Sequence, residues 1–266
     1  MSRKVNIYKT EADVTAINLD VYDAEIILEP SEENCLTAEF VNCPKIQAAN
    51  SDSALFIKQS KRAFAALFPK GTIKIGVPDY IVPAVSVTGN RVKIYAKGGI
   101  YSQWEALAEN GCVTLEDVAP DGIEIKGGNV SLYASGVTVK NSVITNVKSG
   151  DAALENCFAT HMVCRTGKGN IGVSNLICRD ATLEADEGNI TATVKGDENS
   201  YNVTLTARSG LCNRENRNTD GETSSFKAYT AKGNIHVDFI DDKGEQLPEV
   251  DPVDQEAAAA QAAQEN

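Results

Sequence analysis

The chain has 266 residues, of which 42% are hydrophobic and 6% aromatic, and its formal net charge is −12. That length holds one large β domain or two small ones. Residues 241–266 carry −7 and the rest of the chain −5, so neither part attracts a phosphate backbone and nucleic-acid binding is disfavoured. No apolar run approaches the length of a membrane span, so no membrane insertion is expected.

Taken in order, residues 14–80 hold strands of ordinary pattern. Ile17, Leu19 and Val21 alternate with Asn18 and Asp20, and Ile26, Leu28, Leu36, Ala38 and Phe40 continue the alternation. Ala63–Phe68 reads as one helical turn or an apolar loop, closed by Pro69-Lys70-Gly71. Residues 1–84 are expected to form an N-terminal β cap with the first rungs of a stack, because the open end of a stack needs covering. Tyr101–Ala108 is the best helix candidate in the chain, short enough to be a further rung instead.

From residue 85 to 240 the pattern is a repeat. Gly169-Asn170-Ile171 recurs as Gly188-Asn189-Ile190, a step of 19 residues that also carries Met162 onto Ala181, Cys164 onto Leu183, Thr166 onto Ala185 and Asn156 onto Asn175. Related turns at Gly128-Asn129, Gly150-Asp151, Ser209-Gly210 and Gly233-Asn234 give successive glycine steps of 22, 19, 19, 22 and 23. A period near 20 residues marks stacked supersecondary units. Within each unit Ala181, Leu183 and Ala185, or Ile190, Ala192 and Val194, alternate with polar residues, as expected of half-buried strands. No proline lies between Pro120 and Pro248, as expected where each strand's N–H groups feed a ladder on both sides. The fold class is therefore all-β: a single-chain β-solenoid with an N-terminal β cap. One continuous domain is expected from 14 to 240, followed by a disordered acidic, Ala/Gln-rich tail at 241–266.

The asparagines at 129, 170, 189 and 234 are expected to stack at equivalent turns and bond rung to rung. The polar stretch Leu211–Ser224 is too long for a tight turn and is a candidate binding loop, with Arg214 and Arg217 able to grip carboxylates. Removing residues 213–220 is then expected to spare the sheet and its melting.

The seven cysteines are odd in number and include no Cys-x-x-Cys pair, which points to free thiols in a reducing compartment. Met1 is followed by no apolar leader, so the expected location is the cytoplasm, with the cell surface as the alternative. His161 and Cys164 have a metal-like spacing, but residues three apart on a strand face opposite ways. Cys164 is therefore expected to be buried and His236 to be solvated. Cys157 and Cys178 lie near each other on adjacent rungs, with no spacing signal for a disulfide. Thr166–Asn170 reads as a β-turn, since no helix follows to make it a phosphate loop. Asp180, Glu184, Asp186 and Glu187, with Arg165 and Arg179, are the carboxylates and bases a sugar-cleaving β-helix would need. Acid–base alternation on an exposed strand otherwise serves solubility and edge protection.

Thr72-Ile73-Lys74-Ile75-Gly76-Val77-Pro78, the repeated Gly-Asn/Asp-Ile turns and the closing segments Tyr201–Gly210 and Phe226–Ile235 resemble the bacterial putative-adhesin family of uncharacterised β-solenoid domains. The resemblance covers residues 14–240 and implies adhesion, and it brings no catalytic residues. The resulting expectation is a non-enzymatic, adhesin-like binding domain for a protein or glycan partner. No catalytic, cofactor-binding or metal-binding residues and no cofactor are assigned. The alternatives are an intracellular scaffold or regulatory partner and, third, a carbohydrate-active parallel β-helix enzyme.

Overall fold

The alternation written in the sequence becomes alternation between interior and solvent. The computed structural model describes residues 5–10, 14–60, 71–219 and 224–240. The Ala63–Phe68 segment and the acidic tail lie outside the described residues. The N-terminal strands are β1 (Val5–Thr10), β2 (Ala16–Ser31), β3 (Leu36–Val41), β4 (Ile46–Ser51), β5 (Ala54–Gln59) and β6 (Gly71–Pro78). The middle of the chain supplies β7 (Ala84–Lys97), β8 (Ile100–Tyr101), β9 (Gln103–Glu116), β10 (Ala119–Pro120), β11 (Ile123–Ser135), β12 (Thr138–Ser149) and β13 (Ala152–Glu155). The last strands are β14 (Phe158–Lys168), β15 (Ile171–Glu187), β16 (Ile190–Lys195), β17 (Tyr201–Ser209), β18 (Ser224–Lys232) and β19 (Ile235–Ile240). The architecture is the expected all-β solenoid.

Strands one rung apart are parallel and in register. Trp104 pairs with Ile123, Met162 with Ala181, Cys164 with Leu183 and Ile171 with Ile190. Each rung has three faces. The first holds the column Trp104–Ile123–Val143–Met162–Ala181–Phe226–Val203 pointing inward. The second holds Val113–Leu132–Ala152–Ile171–Ile190–Ile235. The third is a short side that starts at β8 and β10. Nearly all of these inward residues are at most 5% exposed. Burying an aliphatic side chain stabilises by roughly 1.5–3 kcal/mol, and stacking makes the core continuous.

Tyr101–Ala108, the helix candidate, is strand. Trp104, Ala106 and Ala108 are buried and Glu105 and Leu107 exposed, a period of two that a helix cannot satisfy.

The corners are set by backbone chemistry. Between the second and third faces the residues Gly98, Asp117, Gly136, Asn156 and Asn175 all have φ between 52° and 64°. Asn, Asp and Gly tolerate that left-handed geometry best. Between the first and second faces runs a column of glycines, Gly150–Gly169–Gly188–Gly233–Gly210. There a side chain on each would strike the carbonyl of the glycine or valine beneath.

Beside that column the side-chain oxygen of Asp151 accepts from Asn170 N at 2.7 Å, that of Asn170 from Asn189 N at 2.9 Å, that of Asn189 from Asn234 N at 2.8 Å and that of Asn234 from Leu211 N at 2.9 Å. The expected ladder therefore exists for three of the four asparagines. Asn129 stands two positions away in register and belongs to a separate set, bonded to Asn110 and Ser149. The reason is that β11 steps to β12 by 20 residues, so that Val130, not Gly128, underlies Gly150. Asn189→Ala is expected to cost about 1 kcal/mol in urea unfolding, the usual worth of one such bond. A cost indistinguishable from zero would show that the ladder contributes nothing.

At the N-terminal end β5 and β6 lie on the outer edge of β2, and β3, β4 and β1 extend them antiparallel. The turn of β2 is held from inside by Asp23, whose carboxylate accepts from Arg91 Nη2 at 2.5 Å and whose N–H donates to Gln59 Oε1 at 3.1 Å.

At the C-terminal end the order of strands departs from the order of the chain. β15 pairs with β18, and β17 pairs with the far side of β18. Likewise β16 pairs with β19. Thr204, Thr206 and Arg208 are therefore not one rung on from Thr191, Thr193 and Lys195, as sequential stacking predicts. The neighbours of Thr191, Thr193 and Lys195 are His236, Asp238 and Ile240, on the second face, while Thr204 and Thr206 lie on the first. Phe226, Phe239 and Tyr201 fill this end, with ring centroids 5.3 and 6.1 Å apart.

Candidate functional site

The Leu211–Ser224 stretch, as far as it is described, is a cap. Val203 and Arg217 exchange backbone hydrogen bonds of 2.8 Å in both directions. Asn213 donates from its side-chain amide to Val237 O at 3.0 Å and accepts from Val237 N at 2.9 Å. Asn216 accepts from Leu205 N at 2.6 Å, and Thr219 N donates to Asn202 Oδ1 at 2.7 Å. Side-chain amides thus do for the terminal strands what another rung would do. The two arginines proposed as grips are engaged within the chain. Arg214 donates to Glu198 at 2.7 Å, to Asp238 at 3.3 Å and to Val237 O, and it lies over the Phe239 ring. Arg217 donates to Asn199 and stands 4.0 Å from Glu198. These contacts of residues 213–219 weigh against the expectation that 213–220 can be removed with melting unchanged.

The outward side of the first face carries the carboxylates that sequence reasoning singled out. Arg165 Nε donates to Glu184 at 2.6 Å, and Asp180 is met by His161 at 3.1 Å and by the Ser225 hydroxyl at 2.8 Å. Glu187 sits between Lys232 at 2.7 Å and Lys168 at 3.4 Å. Hydrogen bonds from Lys232 and Lys168 hold the Glu187 carboxyl below its ordinary value. A general acid acting on a glycosidic oxygen needs the opposite shift. Beside these residues is an open depression of about 700 Å³ lined by Lys126, Lys148, Arg165, Lys168 and Glu187 among others.

His161 points outward and Cys164 inward, so they do not converge. His236 is exposed and meets Asp238 at 3.0 Å. All seven cysteines are free thiols. Cys164 is 1% exposed, and burial pushes its thiol and that of Cys178 up to about 12. Neither is a nucleophile at neutral pH. Cys157 and Cys178 donate instead to backbone carbonyls, Cys157 to Glu155 O at 3.4 Å and Cys178 to Asp180 O at 3.1 Å.

The second face holds a feature that the sequence reading passed over. Its outward column runs Tyr133–Ala153–Gly172–Thr191. Two small residues between two larger ones leave a hollow of about 410 Å³. The adjacent column, Ser135–Glu155–Ser174, forms one wall, and Glu116 and Thr193 close it. No basic side chain lines it. Tyr133 is 46% exposed. Glu116 accepts from the Tyr95 hydroxyl at 2.7 Å and lies 3.6 Å from Lys97, whereas Glu155 has no partner of either kind among the described residues. The signal was available as Tyr, Ala, Gly and Thr at outward positions spaced 20, 19 and 19 residues apart.

A family model described as Toastrack DUF4097 matches residues 14–245. The chain belongs to that Toastrack family. Toastrack membership agrees with the resemblance to uncharacterised putative adhesins and with the β-solenoid fold. A putative adhesin from Parabacteroides merdae is 14% identical, with a TM-score of 0.53, over 89% of this chain and 96% of that one. A putative adhesin from Parabacteroides distasonis is 12% identical, with a TM-score of 0.52, over 88% and 97% of the two chains. At such identities the likeness speaks for the fold. No curated protein matches.

Proposed function

We propose that this Toastrack domain is a non-catalytic, adhesin-like binding module that works at the cell surface and meets a glycan or protein partner across its outward faces. The observation that carries the reading is the state of the first-face carboxylates. Asp180, Glu184 and Glu187 are each held by a partner on a neighbouring rung, which suits a rigid display surface, and the carboxyl of Glu187 is held below its ordinary value, the wrong direction for a general acid. The adhesin names of the structural neighbours support the location. The free thiols favour the competing reading, an intracellular scaffold, since thiols persist in reducing compartments.

Incubation of the folded protein with a polysaccharide panel, read both for retention on the immobilised glycan and for new reducing ends, tests the activity. Retention without new ends is expected. New reducing ends that disappear in Glu184→Gln would overturn the non-catalytic reading. Fractionation of cells expressing the native protein separates surface from cytoplasm.

A further inference from the structure

We propose that the hollow on the second face is a subsite for one uncharged pyranose ring, stacked on Tyr133 and hydrogen-bonded through Glu155. This deepens the binding-module reading and rests on it.

Three features converge on a sugar. First, Tyr133 and Thr191 are three rung steps apart, roughly 14 Å at about 4.8 Å per step. Ala153 and Gly172 are the residues between them. The gap they leave accepts a six-membered ring with its substituents. Second, a half-exposed phenol ring at one end of the gap offers a negative π face to the C–H bonds on one side of a pyranose. Third, the walls carry the groups that read hydroxyls. Glu155 is an acceptor with both oxygens uncommitted, suited to the two O–H groups of a vicinal diol through charge-assisted bonds. Ser135 and Ser174, one rung to either side of it, donate and accept. An apolar floor with a few convergent polar groups is the ordinary anatomy of a small-ligand site.

The same residues set the charge of the ligand. Glu116 and Glu155 border the hollow, no basic side chain lines it, and the whole chain carries −12. A uronate or sialate is repelled. The larger depression on the first face is the poorer candidate, because ion pairs already bridge Arg165 to Glu184 and Lys168 to Glu187 across it.

Gly172 gives the decisive variant. A Cβ there would meet nothing closer than Ala152 O at 4.0 Å, so Gly172→Leu fills the hollow from its floor without disturbing the strand. The experiment titrates the full-length protein, followed by NMR, with methyl glucoside, galactoside and mannoside, the corresponding neutral disaccharides, methyl glucuronide and a short Lys/Arg peptide. At least one neutral glycoside is expected to give saturable shifts centred on Tyr133, Ala153 and Gly172. Gly172→Leu is expected to abolish them with melting unchanged, and Tyr133→Ala to weaken them about tenfold, equivalent to about 1.4 kcal/mol. Methyl glucuronide is expected to bind only when Glu155→Gln removes the repulsion. If neutral glycosides bind but Gly172→Leu leaves binding intact, the hollow is not the subsite and the binding-module reading stands. If only the basic peptide binds and Gly172→Leu blocks it, the sugar assignment is overturned while the site survives. If none of these probes binds at the hollow, the proposal fails, and retention on the polysaccharide panel decides the module reading separately.

Discussion

Gly169→Ala is expected to destabilise the protein by about 4 kcal/mol, the sum of a strained backbone and an overpacked contact. Gly169 has φ +146°, and a Cβ built on it lies 2.2 Å from Gly150 O and 2.6 Å from the same carbonyl carbon. That carbonyl cannot retreat, because the Thr166 hydroxyl donates to it at 2.9 Å. The contact repeats along the column, since Gly188 meets Gly169 O and Gly233 meets Gly188 O at similar distances. Urea unfolding followed by circular dichroism measures the effect. Gly172→Ala, three residues away on the next strand, is the control and is expected to change stability by less than about 0.5 kcal/mol. Equal midpoints for the two variants would mean that the column tolerates side chains and that the corner is looser than its geometry.

Replacing residues 213–219 with a Gly-Ser linker of the same length is expected to cost on the order of 5 kcal/mol, at about 1 kcal/mol for each of several hydrogen bonds to the terminal strands. The bonds at stake are the reciprocal pair between Val203 and Arg217, the two between Asn213 and Val237, and those from Leu205 N to the Asn216 side chain and from Thr219 N to the Asn202 side chain. Keeping the length constant separates the loss of these contacts from a change in loop reach. The same unfolding assay reads it, together with solubility, because bare strand edges associate. Unchanged melting would return the segment to the status of a dispensable loop.

The fold was legible where one physical pattern acts alone. Alternation gave the strands, and the Gly-Asn step of 19 residues gave the register from Met162–Ala181 to Ile171–Ile190, because a rung of fixed length leaves no other pairing that keeps the apolar face inside. Legibility stopped where patterns compete. Tyr101–Ala108 has helix-tolerant residues, and only the burial of Trp104 and Ala106 against exposed Glu105 and Leu107 settles it as strand. Asn129 was misplaced because matching Gly128-Asn129 to Gly150-Asp151 takes a step of 22 residues where the strands step by 20, which sets Asn129 beside Ser149, two positions short of Asp151. The cap was read as a loop because its bonds come from Asn213, Asn216 and Arg214 side chains, whose partners lie 11 to 24 residues away and leave no periodic trace. The hollow went unseen for a related reason: it consists of what Ala153 and Gly172 lack.

The exchange in order between β17 and β18 bears on how the chain is made. On a ribosome residues 201–209 emerge before residues 224–232, yet in the finished sheet they touch β15 only through β18. Assembly rung by rung in the direction of synthesis is therefore expected to pause after β16, which stacks on β15, with β17 made before the strand it pairs with. Val203 and Leu205 carry the same inward pattern as Phe226 and Ala228, so β17 fits the bare edge of β15 as a provisional tenant. In the finished sheet β18 holds that edge and β17 lies outside it. A chain interrupted at residue 219 is therefore expected to lose more than its last strands, because the edge of β15 that Phe226 covers is left for Val203 to close.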